Sequence, residues 1–315
     1  MSDSPAAPTP YEVLGVSSTV SQEELRRAYR RLARETHPDT GGTAAAFQAV
    51  QAAWELVGDP QDRARYDRGE SLVMDAVSGD SGAGGFSATV HQTRSSSRGA
   101  SVRARSYGHP GGQARERFLT LMREWMGRGT ELDDPYDPAL VRSAPREIRQ
   151  LLAVALAEEA TARAVSSLGI GFTIWNDVAV HPASDEKLDH IVLGPAGLFA
   201  IRSADWGSEV KLAKGEVVGP GIPHDEEPLH ELYRSAKSFG RQAGVRFTGH
   251  IVVVPDDALV VPFDVVQRGR LAGSLLVRRS LLPKILRDGA NAAGRESVDR
   301  AFELRPRLQE AVRFV

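Results

Sequence analysis

Residues 21–39 constrain folding more tightly than any other part of the chain. They read as an arginine-rich amphipathic helix that ends in His37-Pro38-Asp39. Leu25, Ala28, Tyr29, Leu32 and Ala33 recur at helical spacing and form one apolar stripe. Arg26, Arg27, Arg30, Arg31 and Arg34 fall off that stripe. Ser21 followed three residues later by Glu24 is a capping box, which sets the start. Pro38 biases His37 away from helical geometry, which sets the stop. Such a helix must bury its stripe against a partner. The next periodic segment, Thr43 to Val57, offers Phe47, Val50, Trp54 and Val57 for antiparallel packing. A short fourth helix opens at Asp59-Pro60, with proline at a tolerated first-turn position.

With Tyr11-Glu12-Val13-Leu14-Gly15-Val16 in front and Asp62-Arg63-Ala64-Arg65-Tyr66-Asp67 behind, residues 10–70 resemble a J-domain, the module of DnaJ co-chaperones. The resemblance implies a partner, a DnaK-type (Hsp70) chaperone whose ATPase the module stimulates. It also implies contacts made by His37, Pro38 and Asp39 and by the Arg26, Arg27, Arg30, Arg31 and Arg34 face. Taken alone, that run of arginines reads as an ordinary solvated face. Beside the tripeptide it reads as a charged docking face that speeds and orients encounter.

A chain of 315 residues has room for two domains. The formal net charge of −2 is unremarkable, and no domain is strongly basic, which argues against avid nonspecific binding to nucleic acid. The absence of cysteine excludes disulfides and cysteine-ligated zinc. With no signal pattern and no long apolar run, a soluble cytoplasmic protein without membrane contact is expected. Residues 1–9 are expected to be disordered. Residues 71–113, rich in Gly, Ser and Arg, read as a flexible linker, and 114–144 as a short helix and a connector.

From 145 to 315 the pattern is α/β. A long helix from Pro145 to Leu168 is expected to face Ile148, Leu151, Leu152, Ala155, Leu156 and Ala162 inward. Strand-like runs follow, then a helix from Leu229 to Gln242, and the apolar run Gly249 to Pro255 reads as a sheet centre covered on both faces. The expected fold is multidomain, an all-α hairpin followed by a central mixed sheet flanked by helices. Ala157-Glu158-Glu159, Trp175-Asn176-Asp177-Val178 and above all the stretch from Leu188 to Ile201 resemble the nuclease-related domain (NERD), a restriction-endonuclease-like relative of the PD-(D/E)XK nucleases.

Active members of that group need a helical glutamate, a strand aspartate and an acid-x-lysine on the next strand. Carboxylates hold a hard cation such as Mg²⁺, and the lysine serves the attacking water. Glu158 and Asp189 match the first two. The third reads Arg202-Ser203-Ala204, so the acid is now a cation and the lysine a methyl group. A degenerate site is therefore expected at Glu158, Asp189, Arg202 and Ala204, with Arg202 placed to pair with Asp189. No metal, cofactor or catalytic residue is expected. Asp185-Glu186-Lys187, just ahead of Asp189, also has acid-x-lysine spacing but reads as a loop and a chance match. Glu209 and Lys211 read as exposed charges on a later strand, and His181, His190, His224 and His230 as structural or exposed. The expected function is a noncatalytic co-chaperone whose C-terminal domain targets a client protein or nucleic acid. The alternative is a nucleic-acid-binding protein or metal-dependent nuclease with accessory chaperone recruitment.

Overall fold

The computed structural model describes residues 4–36, 42–68, 103–127, 132–182, 184–289 and 298–315. It divides into two compact units. One is Thr9–Ser101; the other joins Met1–Pro8 to Val102–Val315.

The first unit holds α1 (Pro10–Val13), α2 (Gln22–Glu35), α3 (Ala44–Val57) and α4 (Pro60–Asp67). Capping boxes start both α1 (Thr9 with Glu12) and α2 (Ser21 with Glu24), and Asp59 caps α4. Tyr11, Leu14, Leu25, Val50, Ala53 and Val57 form the core. Tyr29 of α2 stacks on Trp54 of α3 with centroids 4.4 Å apart. The Gln22 amide, at the start of α2, donates to Gly58 O, just past the end of α3, at 2.7 Å. These two contacts place the helices antiparallel, as their facing stripes require. Arg63 of α4 locks the bundle by donating to Tyr11 Oη, Gln22 Oε1, Ser18 O and Val20 O at 2.8–3.1 Å.

The second unit is built on a seven-stranded mixed sheet in the order β1-β2-β3-β4-β7-β9-β8. Its strands are β1 (Arg105–Tyr107), β2 (Thr173–Ala179), β3 (Lys187–Gly194), β4 (Gly197–Ser203), β7 (Gly249–Val254), β8 (Phe263–Val265) and β9 (Leu275–Arg278). A separate hairpin pairs β5 (Lys211–Ala213) with β6 (Glu216–Val218). The helices are α5 (Gly112–Met126), α6 (Pro138–Ser143), α7 (Arg146–Ser166), α8 (Pro228–Ala243), α9 (Leu282–Asp288) and α10 (Val298–Ala311). Strands β2, β3 and β4 run antiparallel in a meander, while β4, β7 and β9 are parallel. Joining β4 to β7 in parallel requires a crossover, and α8 supplies it. The centrally paired β7 is apolar because helices cover both faces. On one side Leu229, Leu232 and Phe239 of α8 pack with Leu308 of α10; on the other Val165 of α7 packs with Leu282 and Leu286 of α9.

Several boundaries differ from the sequence expectation. The expected linker, 71–113, falls outside the described residues up to 102. Its last part is regular structure, since β1 pairs in parallel with β2 and α5 begins at Gly112. The expected connector 114–144 is part of the domain. Phe118 and Met122 of α5 bury against Ile148 and Leu152 of α7, an apolar match too distant in sequence for local periodicity to reveal. Leu156, expected inward on α7, is 37% exposed, because α5 covers a different sector of that helix. Residues 4–8 of the segment expected to be disordered pack on the second unit. Ala6 is buried there, and the buried Arg149 donates to Pro5 O at 3.2 Å and to Ala7 O at 2.8 Å.

Candidate functional site

In the first unit the candidate site is the outer face of α2. The apolar side of that helix is consumed by α3, so Arg26, Arg27, Arg30, Arg31 and Arg34 are all left exposed. Arg27 pairs with Glu23 at 3.4 Å and Arg31 with Glu35 at 4.0 Å, both in the exposed i,i+4 geometry that contributes little. The face is therefore a solvent-exposed cationic surface. His37, Pro38 and Asp39 lie outside the described residues.

In the second unit the sheet and α7 bring Glu158, Asp177, Lys187 and Asp189 together. Glu158 is fully buried on α7. Asp177 stands in β2 at a φ of 51°, a left-handed conformation that aspartate tolerates better than most residues. Lys187 and Asp189, two apart in β3, share a side of the strand. The Lys187 ammonium donates to Glu158 Oε1 and Oε2, each at 2.7 Å, and to Asp177 Oδ1, and it lies 3.7 Å from Asp189 Oδ1. Burial works to lower the Lys187 pKa, but Asp189, Glu158 and Asp177 together outweigh it and raise it well above the ordinary lysine value. Burial, followed by the charge of Asp189, pushes Glu158 upward against the pull of Lys187.

The backbone uses the remaining oxygens. Glu158 Oε2 accepts from Gly111 N at 3.1 Å, Asp177 Oδ2 from Gly112 N at 2.8 Å, and Asp189 Oδ2 from Ser203 N at 2.8 Å. Gly111 sits at a φ of 74°, and a Cβ there would meet Ala155 O at 2.6 Å, so only glycine brings these amides so close to α7. Gly111 itself offers α5 no side-chain cap, and Asp177 takes that role from β2.

A second network lies beside the first. The Asn176 amide donates to Tyr107 O at 2.8 Å and to Ser106 Oγ at 3.1 Å. Its Oδ1 therefore accepts from His190 Nδ1 at 2.8 Å, leaving His190 Nε2 to accept from the Ser203 hydroxyl at 2.9 Å. Burial holds His190 down to about 4, so the ring is neutral, as this tautomer requires. The network ties β1 through β4 together under Asp189.

Two site expectations need correction. Arg202 does not pair with Asp189. It is bound to Glu226, and to Glu231 at 2.6 Å, two acids that the β4-to-α8 connection and α8 bring over it. Lys187 is not a loop residue but the first residue of β3, aimed into the acid cluster. Sequence reasoning also gave no role to Asp177, Gly111 or Gly112. The Lys187-x-Asp189 alternation on a strand was the available signal for the lysine. Ala204 is buried next to Ser203. Glu209 and Lys211 lie at the separate β5-β6 hairpin, and both are exposed. His181 bonds Ser238 and Gln242, and His230 bonds Glu216. Among the described residues no group of three or more histidine, aspartate or glutamate side chains is arranged to hold a metal, and no helix is long and apolar enough to cross a membrane.

A cleft of about 710 Å³ borders this region, lined by Lys187, Asp189, Arg202, Ser203, Trp206 and Glu226 among others. The molecule thus combines a helical hairpin with a basic outer face and a mixed-sheet α/β domain of nuclease-like architecture. Residues 9–67 match the DnaJ domain and residues 153–261 match the nuclease-related domain, so the chain joins these two modules. It is similar to the chaperone protein DnaJ of Thermosynechococcus vestitus, with 52% identity over 80 residues, covering 24% of this chain and 20% of that protein. It is also similar to chaperone protein DnaJ 1 of Cutibacterium acnes, 47% identical over 79 residues, 24% of this chain and 20% of that one. Chaperone protein dnaJ A6 of Oryza sativa is 44% identical over 72 residues, 22% and 17% of the respective chains. The chain thus spans about a fifth of the length of these relatives.

Proposed function

We propose that this protein is a co-chaperone that docks on a DnaK-type chaperone through its DnaJ domain and stimulates ATP hydrolysis there. The arginine face of α2 steers the encounter, and His37, Pro38 and Asp39 engage the partner. The DnaJ-domain match over 9–67, with five arginines exposed on one rigid, capped helix, carries this reading. The nuclease-related domain works without catalysis, holding a client protein or nucleic acid so that the recruited chaperone acts at high local concentration. What supports this is Arg202-Ser203-Ala204 in place of acid-x-lysine, with Arg202 committed to Glu226 and Glu231. The test is single-turnover ATPase measured on a DnaK-type chaperone. Wild type accelerates hydrolysis and His37→Gln does not; equal acceleration by both refutes the proposal.

One observation favours a second reading. Glu158, Asp177, Asp189 and Lys187 make up the same inventory of side chains as a metal-dependent nuclease site, with the lysine moved to another strand. Under that reading, plasmid incubated with Mg²⁺ or Mn²⁺ is cut, and Asp189→Ala stops it. Intact plasmid retires it.

A further inference from the structure

The group that a nuclease-like site implies is a divalent cation, and the residues present do not fit one. Magnesium demands near-octahedral oxygen ligands at about 2.0–2.1 Å and usually retains water. Here the space between the acids is held by an amine. The Lys187 ammonium sits 2.7 Å from both Glu158 Oε1 and Glu158 Oε2 and also donates to Asp177 Oδ1. The outer oxygens Glu158 Oε2, Asp177 Oδ2 and Asp189 Oδ2 also serve backbone amides. Only Asp189 Oδ1, in 3.7 Å ion-pair contact with Lys187, takes no hydrogen bond from these groups.

We propose that Lys187 is a built-in cation: its ammonium fills the position a divalent ion takes in a nuclease site, and the Glu158, Asp177 and Asp189 carboxylates now serve the fold. The proposal rests on the noncatalytic reading of this domain and supplies its physical cause. Three carboxylates converging where little water reaches repel one another and are costly to bury. Some cation is required, and a covalently attached one is always present. Lys187 retains 11% side-chain exposure, Glu158 none and Asp177 2%, so the charges meet in a largely dry environment. The same exchange occurs across the cleft, where Arg202 has taken the acid's place and is neutralised by Glu226 and Glu231. Two cations have thus been added and each is enclosed by acids. The alternative, a relocated catalytic lysine, requires an amine free to serve a reacting water, whereas this one is held between the Glu158 and Asp177 carboxylates.

The experiment uses the full chain, with the unfolding midpoint of the C-terminal domain followed by calorimetry in chelator and in millimolar Mn²⁺. Wild type is expected to show the same midpoint in both. Lys187→Ser is expected to lie roughly 10 °C lower in chelator and to regain roughly half of that in Mn²⁺, which now enters the emptied nest. A Mn²⁺ shift in wild type as large as in Lys187→Ser overturns the proposal, as does a Lys187→Ser midpoint that neither chelator nor Mn²⁺ changes. Should Lys187→Ser fail to fold, Lys187→Met is compared with Lys187→Met/Glu158→Gln. Restored stability in the double variant supports charge compensation, and its absence refutes it. Wild-type plasmid cleavage sinks the noncatalytic reading itself, whereas a missing Mn²⁺ response in a folded Lys187→Ser sinks the built-in cation and leaves that reading standing.

Discussion

Asp177 Oδ2 accepts a hydrogen bond from the Gly112 amide at 2.8 Å, so a strand residue caps the first turn of α5 across 65 positions of sequence. The same carboxylate meets the Lys187 ammonium through its other oxygen. Helix start, strand and ion cluster are therefore one mechanical unit, and the loss of Asp177 is felt in all three.

Asp177→Ala is expected to destabilise the C-terminal domain by about 3–4 kcal/mol. The lost cap accounts for about 1 kcal/mol, the left-handed backbone for about 1 kcal/mol, and the weakened buried ion cluster for the rest. Asp177→Asn keeps an oxygen for the cap and tolerates the backbone, and so costs roughly half as much. Urea denaturation of both variants measures the difference; equal losses would show that the cap and the backbone conformation contribute nothing.

Arg63 serves four acceptors in three separate parts of the DnaJ domain. Removing it in Arg63→Ala strands those acceptors and is expected to cost about 3 kcal/mol. Arg63→Lys recovers little, because an ammonium cannot span the fork geometry. Hydrogen exchange in peptides from residues 10–35 should accelerate in both variants, while exchange in the C-terminal domain stays unchanged.

Burial holds His250 down to about 4, where it packs against the Tyr233 and Phe247 rings. Its folded pKa lies below the unfolded value, so the folded state favours the neutral ring. The resulting stability is present above about pH 6.5 and is lost as pH falls toward 4, by roughly 3 kcal/mol at most. His190, also held at about 4, adds a similar loss in the same window. His250→Phe should flatten the acid limb of a stability–pH profile by about half of the two histidines' combined loss. An unchanged limb would mean that His250 is protonated without penalty in the fold.

Charge reversal at Arg27, Arg30 and Arg31 leaves the α2 stripe intact, so the DnaJ domain should keep its helicity. Association with a DnaK-type chaperone should slow by roughly tenfold or more at low salt, and the deficit should narrow as salt rises and screens the encounter. Stopped-flow binding at several ionic strengths reads this directly. His37→Gln should instead leave the salt dependence of binding unchanged and remove stimulation.

The elements that sequence revealed well are those specified locally. Ser21 and Glu24 announce α2, Asp59 and Pro60 announce α4, and the run from Gly249 to Val254 announces a strand covered on both sides. The candidate site was half legible. Glu158 and Asp189 lie where the resemblance put them, on α7 and β3. The partners of Arg202, by contrast, come from 24 and 29 residues downstream, and nothing local names them. Docking of residues 4–8 on Arg149 was hidden for the same reason, since the contacts cross more than 140 positions.

By itself the sequence determined most of the helices and the central strands, the two-module organisation, the cationic face of α2 and the Arg202-Ser203-Ala204 that follows β4's apolar run. The elements follow from caps and periodicity within a few neighbouring positions, and the two modules from the resemblance of their motifs. Only the tertiary structure decided what Glu158, Asp177 and Asp189 touch, because Coulomb energy and desolvation depend on distances through space. Folding the sheet against α7 put the Lys187 ammonium among Glu158, Asp177 and Asp189, and gave their outer oxygens to the amides of Gly111, Gly112 and Ser203.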